Sequence, residues 1–126
     1  MDDMGTFRAS ISVENPSRRG ILLSLEDVLV DTGSELTWVP RRILEELGIT
    51  AERQDRFALA DGRKLTRDVG YVIVHVRGVA TVDDVVFAED QDLTLLGARS
   101  LEGLNLRIDP RARRLVSAGP IVAAVA

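Results

Sequence analysis

Turn-forming residues punctuate this chain at short intervals, and the segments between them are brief, apolar and rich in Val, Ile and Leu. That rhythm leaves no room for long helices and predicts a mostly β fold. Phe7 to Val13 alternates with a period close to two, and the cluster Asn15-Pro16-Ser17-Arg18-Arg19-Gly20 returns the chain into Ile21 to Val30, which predicts a first hairpin. A second hairpin is expected between Phe57 to Ala60 and Lys64 to Val76, because Asp61-Gly62 is a strong tight-turn signal. After Arg77-Gly78 come a strand Val79 to Ala88, an acidic loop Glu89 to Asp92 and a short apolar strand Leu93 to Leu96, ended by Gly97. The remainder predicts one helical turn near Ala98 to Glu102, a strand Leu104 to Ile108, a turn at Asp109-Pro110 and a strand Arg114 to Ser117. One main short helix interrupts the strands: Pro40 opens it, Ile43, Leu44 and Leu47 share a face, Glu45-Glu46 face outward and Gly48 stops it.

Length and composition set the outer limits. A chain of 126 residues with 45% hydrophobic content is sized for a single domain with a genuine core, and a two-domain enzyme is not expected. We expect the folded unit to span about residues 5–118, with 119–126 as a tail and Met4-Gly5 as the functional start. The net charge is −4, and the sixteen basic residues, all Arg except Lys64, are scattered among twenty acidic ones. No basic face emerges, so nucleic acid is not an expected partner. Arg18-Arg19 and the cluster Arg111 to Arg114 read as solvated turns. Cysteine is absent, which removes disulfides, thiol nucleophiles and thiolate metal sites together. Without a leader pattern or an apolar run near ~20 residues, no membrane partner is expected and the cytoplasm is the expected location.

The chemistry-bearing feature is Asp31-Thr32-Gly33-Ser34, which follows Leu29-Val30 and precedes the apolar run Leu36 to Val39. An acidic side chain there sits on a tight turn between two strands, where a protein can hold a reactive carboxylate. Gly33 supplies the turn's backbone freedom, and Thr32 and Ser34 can supply side-chain hydrogen bonds. A faint internal repeat accompanies it. Val28 to Gly33 leads into Leu44-Glu45-Glu46-Leu47-Gly48-Ile49, and Asp92 to Gly97 leads into Leu101-Glu102-Gly103-Leu104-Asn105-Leu106. A pseudo-symmetric β domain, each half giving one loop to a common centre, accounts for such a repeat; coincidental Leu-rich patterning does so too.

Taken together, these residues give a chain that resembles the retropepsin-like aspartic proteases, in their bacterial single-domain form, from about Gly5 to Val116. The match is carried by Leu29 to Ser34, by Leu95-Leu96-Gly97 and by the Leu47-Gly48-Ile49 that closes the helix. The resemblance implies a closed β barrel with pseudo-symmetric halves and a flap hairpin. It makes Asp31 the catalytic aspartate, and Thr32, Gly33 and Ser34 the support of the active-site loop. Leu95, Leu96 and Gly97 become the second repeat's loop. Ala60, Asp61, Gly62 and Arg63 become the flap that closes over a peptide or protein substrate. No cofactor or metal is expected. Retroviral flaps have an apolar, Gly-rich tip, whereas this one carries Asp61, Arg63 and Lys64; its charge reads either as a preference for charged substrates or as a solvated turn.

Elementary chemistry adds a requirement. Hydrolysis of a peptide by carboxylates needs one ionised group to activate water and one protonated group to donate to the carbonyl oxygen. Two facing carboxylates provide both forms, because they cannot both ionise cheaply, and the shared proton belongs to the pair. Only one Asp-Thr-Gly is present, and its repeat carries Leu95-Leu96-Gly97, so the second acid must come from another chain. A two-fold homodimer places Asp31 opposite its own copy. The β-prone tail Ile121 to Ala126 reads either as part of the dimer interface, as in retroviral relatives, or as a frayed end.

Other candidates are weaker. His75 shares a strand face with Tyr71 and Ile73 and reads as a plain strand histidine, and zinc has no second soft ligand nearby. Ser10, Ser12, Ser24 and Ser100 lack a nucleophile-elbow context. Trp38 reads as a core aromatic or a pocket wall. Ser34 offers a hydroxyl that could donate to the ionised Asp31 carboxylate, or merely stabilise the turn. The functional expectation is an aspartic endopeptidase; the alternative is a non-catalytic module of the same fold that dimerises or binds peptide.

Overall fold

The structure, a computed structural model, describes residues 7–124. The expected start at Met4-Gly5 and the last tail residues, Val125 and Ala126, lie outside the described residues. The elements run β1 (Arg8–Asn15), β2 (Arg18–Val30), β3 (Thr37–Pro40), α1 (Arg41–Glu46), β4 (Arg53–Ala58), β5 (Lys64–Val76), β6 (Val79–Ala88), β7 (Leu95–Leu96), α2 (Ala98–Leu104), β8 (Leu106–Asp109) and β9 (Arg114–Ser117). The fold is mostly β. Seven strands join in the order β1-β2-β7-β3-β6-β5-β4, and β1 pairs with β5 as well. The hairpins β1–β2, β4–β5 and β5–β6 are antiparallel, whereas β2–β7 and β3–β6 are parallel. β8 and β9 form a separate two-stranded sheet.

Burial explains why the middle of the molecule does not show clean alternation. Val85, Val86, Phe87 and Ala88 on β6 are all buried, because both faces of that strand are covered. Val85 and Phe87 face the main core with Val72, Val74, Leu44 and Leu96, while Val86 and Ala88 join a second cluster with Leu36, Trp38, Val69 and Leu95. Leu95 and Leu96 are therefore adjacent in sequence yet belong to different apolar layers. The helices close the main core: Ile43 and Leu44 from α1, and Leu101 and Leu104 from α2, are buried. Gly48 follows α1 at φ 77°, the left-handed geometry that ends a helix with little strain only when no Cβ is present.

Three expectations need correction. The C-terminal helical turn is a full helix, α2, one residue longer than α1, and it absorbs Leu104, so the next strand starts at Leu106. Leu101 and Leu104 both reach the core from a helical spacing, and Asn105 ends the helix at φ 55°. The strand expected over Leu93 to Leu96 is only Leu95–Leu96, with Leu93 exposed. The hairpin strand expected over Phe57 to Ala60 runs instead from Arg53 to Ala58. No helix among the described residues is long and apolar enough to cross a membrane.

Candidate active site

Asp31 leaves the end of β2, where Leu29 and Val30 pair with Leu95 and Leu96. Its N–H donates to the Leu96 carbonyl at 3.0 Å, which ties the start of the loop to β7. A tight turn follows, closed by the Ser34 N–H donating to the Asp31 carbonyl at 3.1 Å. The Asp31 carboxylate folds back onto this turn and accepts the Gly33 N–H at 2.9 Å. A side chain at position 33 would put its Cβ 3.2 Å from that carboxylate oxygen, so the bare glycine gives the acid its place. The Ser34 hydroxyl donates to the Leu36 carbonyl at 2.9 Å, so its proton goes to the loop backbone, which fits the turn-stabilising reading of the two that the sequence left open. Thr32 is exposed at the outer edge of the turn.

The segment after β7 holds this loop from behind. Ala98 N–H donates to the Ser34 carbonyl at 2.8 Å and Arg99 N–H to the Glu35 carbonyl at 3.0 Å. Such closeness excludes a side chain at Gly97: a Cβ there would collide with the Leu36 carbonyl oxygen and lie 2.9 Å from the Glu35 carbonyl oxygen. The Gly97 N–H donates to Thr37 Oγ1 at 3.0 Å, and the Thr37 and Ser100 hydroxyls are bonded at 2.6 Å. The loop from Asp31 to Leu36 thus lies against Leu96 to Arg99, joining two segments that sequence reasoning paired through the repeat.

A cleft of about 1060 Å³ opens in front of the loop, lined on one side by Asp31, Gly33 and Ser34. Leu36, Trp38 and Leu95 from the second apolar cluster line it as well. Phe57, Ala60, Arg63 and Leu65 of the β4–β5 hairpin form another wall. Trp38 is both core and wall, and it meets Phe57 edge-on at 5.2 Å between ring centroids. The hairpin turns through Leu59 to Arg63, with Gly62 N–H donating to the Leu59 carbonyl and Leu59 N–H to the Arg63 carbonyl. Gly62 adopts φ 90° after this turn, so the loop has three residues where the Asp-Gly signal predicted two. Ala60 and Arg63 line the cleft, while Asp61 and Gly62 are the turn itself. Asp61 accepts both the Arg63 N–H and its guanidinium, and these bonds hold its carboxyl below the usual range. Asp61 and Arg63 thus satisfy each other at the tip.

Arginine–carboxylate pairs fasten the base of the hairpin. Arg67 grips Asp92 through two bonds of 2.7 and 2.9 Å, which lowers the Asp92 carboxyl. Arg41 binds Asp68 at 2.6 Å and Glu89 at 2.9 Å, with its guanidinium over the Phe87 ring. Its bond to Asp68, helped by Gln54, lowers that carboxyl too. Arg53 reaches Asp55 and Asp84. Far from the cleft, Glu14 is buried on β1, where the Gly20 N–H, His75 and Arg19 converge on it and hold its carboxyl down to about 2. His75 is accordingly a structural partner of Glu14. No group of three or more His, Asp or Glu side chains among the described residues comes together as a metal site.

A search of curated proteins finds no match. A family model described as aspartyl protease matches residues 26–100, more than half of the 126 residues and the whole stretch from the end of β2 through Asp31 and the hairpin to Ser100. With its Asp-Thr-Gly turn stapled to a Leu-Leu-Gly strand at the edge of a hairpin-walled cleft, the chain belongs to the retropepsin-like aspartyl protease family.

Proposed function

We propose that this protein is an aspartic endopeptidase that works as a homodimer, with Asp31 of each copy forming the catalytic pair. The observation that carries this reading is the Asp31 carboxylate, set by the Gly33 N–H at the wall of a cleft large enough for an extended peptide. Family membership supports a peptidase. The other acids lining the cleft, Glu35, Asp55 and Asp92, are each engaged in an ion pair with an arginine, so none offers a free carboxyl to pair with Asp31. A second Asp31 meets that need. In the reaction, the ionised member takes a proton from water as the water oxygen attacks the scissile carbonyl carbon, and the protonated member donates to the carbonyl oxygen. Collapse of the tetrahedral adduct with proton transfer to nitrogen breaks the C–N bond. No cofactor is needed.

The wider architecture agrees with this assignment. The circuit of pairings β1-β2-β7-β3-β6-β5 and back to β1 supports a closed barrel. The succession β2, Asp31 loop, β3, α1 is matched by β7, Gly97, α2, which supports pseudo-symmetric halves. Hairpin residues Ala60 and Arg63 act as the flap, over a substrate bound in extended form. The tail supplies interface: Ile121 and Val122 are 80% and 90% exposed in the single chain, beyond a Gly119 carbonyl fastened by Asn105. The test is digestion of a diverse peptide library from acid to neutral pH by wild type and Asp31→Asn. Wild-type cleavage that falls at least about a hundredfold in the variant is expected, since general acid–base work by such a group contributes about 10²–10⁴. Cleavage that survives the substitution removes Asp31 from the chemistry. A stable dimer that leaves every peptide intact points instead to the non-catalytic module.

A further inference from the structure

Behind the Asp31 loop lies a run of hydrogen bonds that peptide chemistry does not require. It starts at the Gly97 N–H, which donates to Thr37 Oγ1 at 3.0 Å. With that lone pair taken, the Thr37 proton is free for the Ser100 oxygen at 2.6 Å, and the Ser100 proton in turn reaches Asp83 Oδ2 at 2.9 Å. The second Asp83 oxygen accepts the Asp84 N–H at 2.7 Å. An amide can only donate and an ionised carboxylate can only accept, so every proton between them points the same way. The run spans three elements: Thr37 opens β3, Ser100 sits in the first turn of α2 and Asp83 lies on β6.

Both hydroxyls are 0% exposed, so no solvent can replace a missing partner. Hydrogen bonds in such a directed chain also polarise and strengthen one another. Thr37, Gly97, Ser100 and Asp83 do not line the cleft and so do not touch a bound peptide. Their influence passes through Gly97. Its neighbours Leu96, Ala98 and Arg99 make the three backbone bonds that hold Asp31, Ser34 and Glu35, and the Gly97 amide lies among them.

We propose that Asp83, Ser100 and Thr37 form a relay that positions the loop carrying Asp31, which makes them positioning residues for the peptidase reaction; this rests on the peptidase reading above. The relay sets where Gly97 lies, and Gly97 sets where the loop lies.

The experiment compares wild type, Thr37→Val and Thr37→Ser by amide hydrogen exchange and by kcat and KM on one cleaved peptide, with Asp31→Asn as the inactive reference. Valine keeps the shape of Thr37 without the hydroxyl, and serine keeps the hydroxyl. The expected result is exchange of the Gly97, Ala98 and Ser34 amides at least about tenfold faster in Thr37→Val. Thr37→Ser stays close to wild type, and the Val72 and Val74 amides do not change in either variant. The kcat of Thr37→Val is expected to fall between about tenfold and a hundredfold with KM within twofold, as for a displaced but intact catalytic group. Equal loop exchange in the valine and serine variants overturns the relay. Faster exchange with unchanged kcat overturns its role in positioning Asp31. Ser100→Ala, which strips the Thr37 proton of its acceptor, is read in the same way should Thr37→Val not fold. A wild type that cleaves no peptide overturns the peptidase reading and the catalytic role with it, while the exchange rates still decide whether the relay holds the loop.

Discussion

The two walls of the cleft are built on different physics. The Asp31 loop is held mainly by neutral groups, backbone bonds to residues 96–99 and buried hydroxyls, beside one exposed Arg99–Glu35 ion pair. The β4–β5 hairpin is an edge of the sheet, touched by strand pairing only through β5, and its base is tied down by arginines reaching carboxylates on other segments. Short neutral bonds in a closed site fix geometry tightly, because no water competes for them. Long charged side chains at a partly wet surface hold position with less precision and respond to pH and salt. A rigid acid beside an adjustable wall suits an enzyme that must admit a chain, close on it and leave its catalytic group unmoved.

The harshest way to break this contrast is Gly97→Ala. The new methyl would meet the Leu36 carbonyl oxygen and crowd the Glu35 carbonyl, both parts of backbone that cannot swing aside. Overpacking of this kind costs about 1–3 kcal/mol, with the upper end expected here because the obstacle is main chain. Urea unfolding should show the loss as a lower midpoint at unchanged slope. Alanine at Gly62, by contrast, meets nothing within 4 Å, and only its positive φ resists the change. A Gly97→Ala protein as stable as wild type would mean the loop is not fixed as described.

Cutting one hairpin pin comes next in size. Arg67→Ala leaves the Asp92 carboxylate, only 8% exposed, without its bidentate partner. Loss of a hydrogen bond to a charged group, softened by partial solvation, predicts about 1–2 kcal/mol in unfolding free energy. Hydrogen exchange should locate the damage. The β4 and β5 amides near residues 53–69 are expected to lose protection, and those of residues 31–37 to keep it. Equal loss in both regions would show that the hairpin and the loop are one cooperative unit.

How much of this could be seen beforehand differs between the same two regions. The loop was legible because its constraints are local or glycine-coded: Asp31, Gly33 and Gly97 each announce a turn or a close approach, and the repeat pairs them. The hairpin was visible through Asp61-Gly62, but its register was not, since a glycine at positive φ suits a three-residue loop as well as a two-residue one. The relay left no signal, because its bonds link residues 63 and 17 positions apart whose hydroxyls look ordinary in sequence. Glu14 left no signal either. Alternation with Ile11 and Val13 marks position 14 as outward, yet β1 is flanked on both sides by β2 and β5, and His75 and Arg19 cover the carboxylate. The α2 boundary failed because Leu101, Leu104 and Leu106 satisfy a helical and a strand period about equally well.

Acid should sharpen the comparison with the smallest of these effects. Asp68 and Asp92 titrate below their ordinary value of 3.8 because Arg41 and Arg67 hydrogen-bond their charged forms, and Glu14 is held from 4.5 down to about 2. The sign follows from which state binds protons first. As pH drops through the ordinary carboxylate range the unfolded chain protonates while the folded chain does not, so stability that is complete above about pH 4.5 drains away toward pH 2. The thermal midpoint is expected to fall by roughly a few degrees across that interval, and less in Glu14→Gln, which has given up part of the titrating contribution already. The backbone bonds that hold the loop to residues 96–99 involve no titrating group, and the relay reaches one only at Asp83, its far end. Hairpin amides should therefore lose exchange protection before those of residues 31–37 as the solution is acidified. Protection lost first at the loop would mean that charge, not neutral hydrogen bonding, is what holds Asp31 in place.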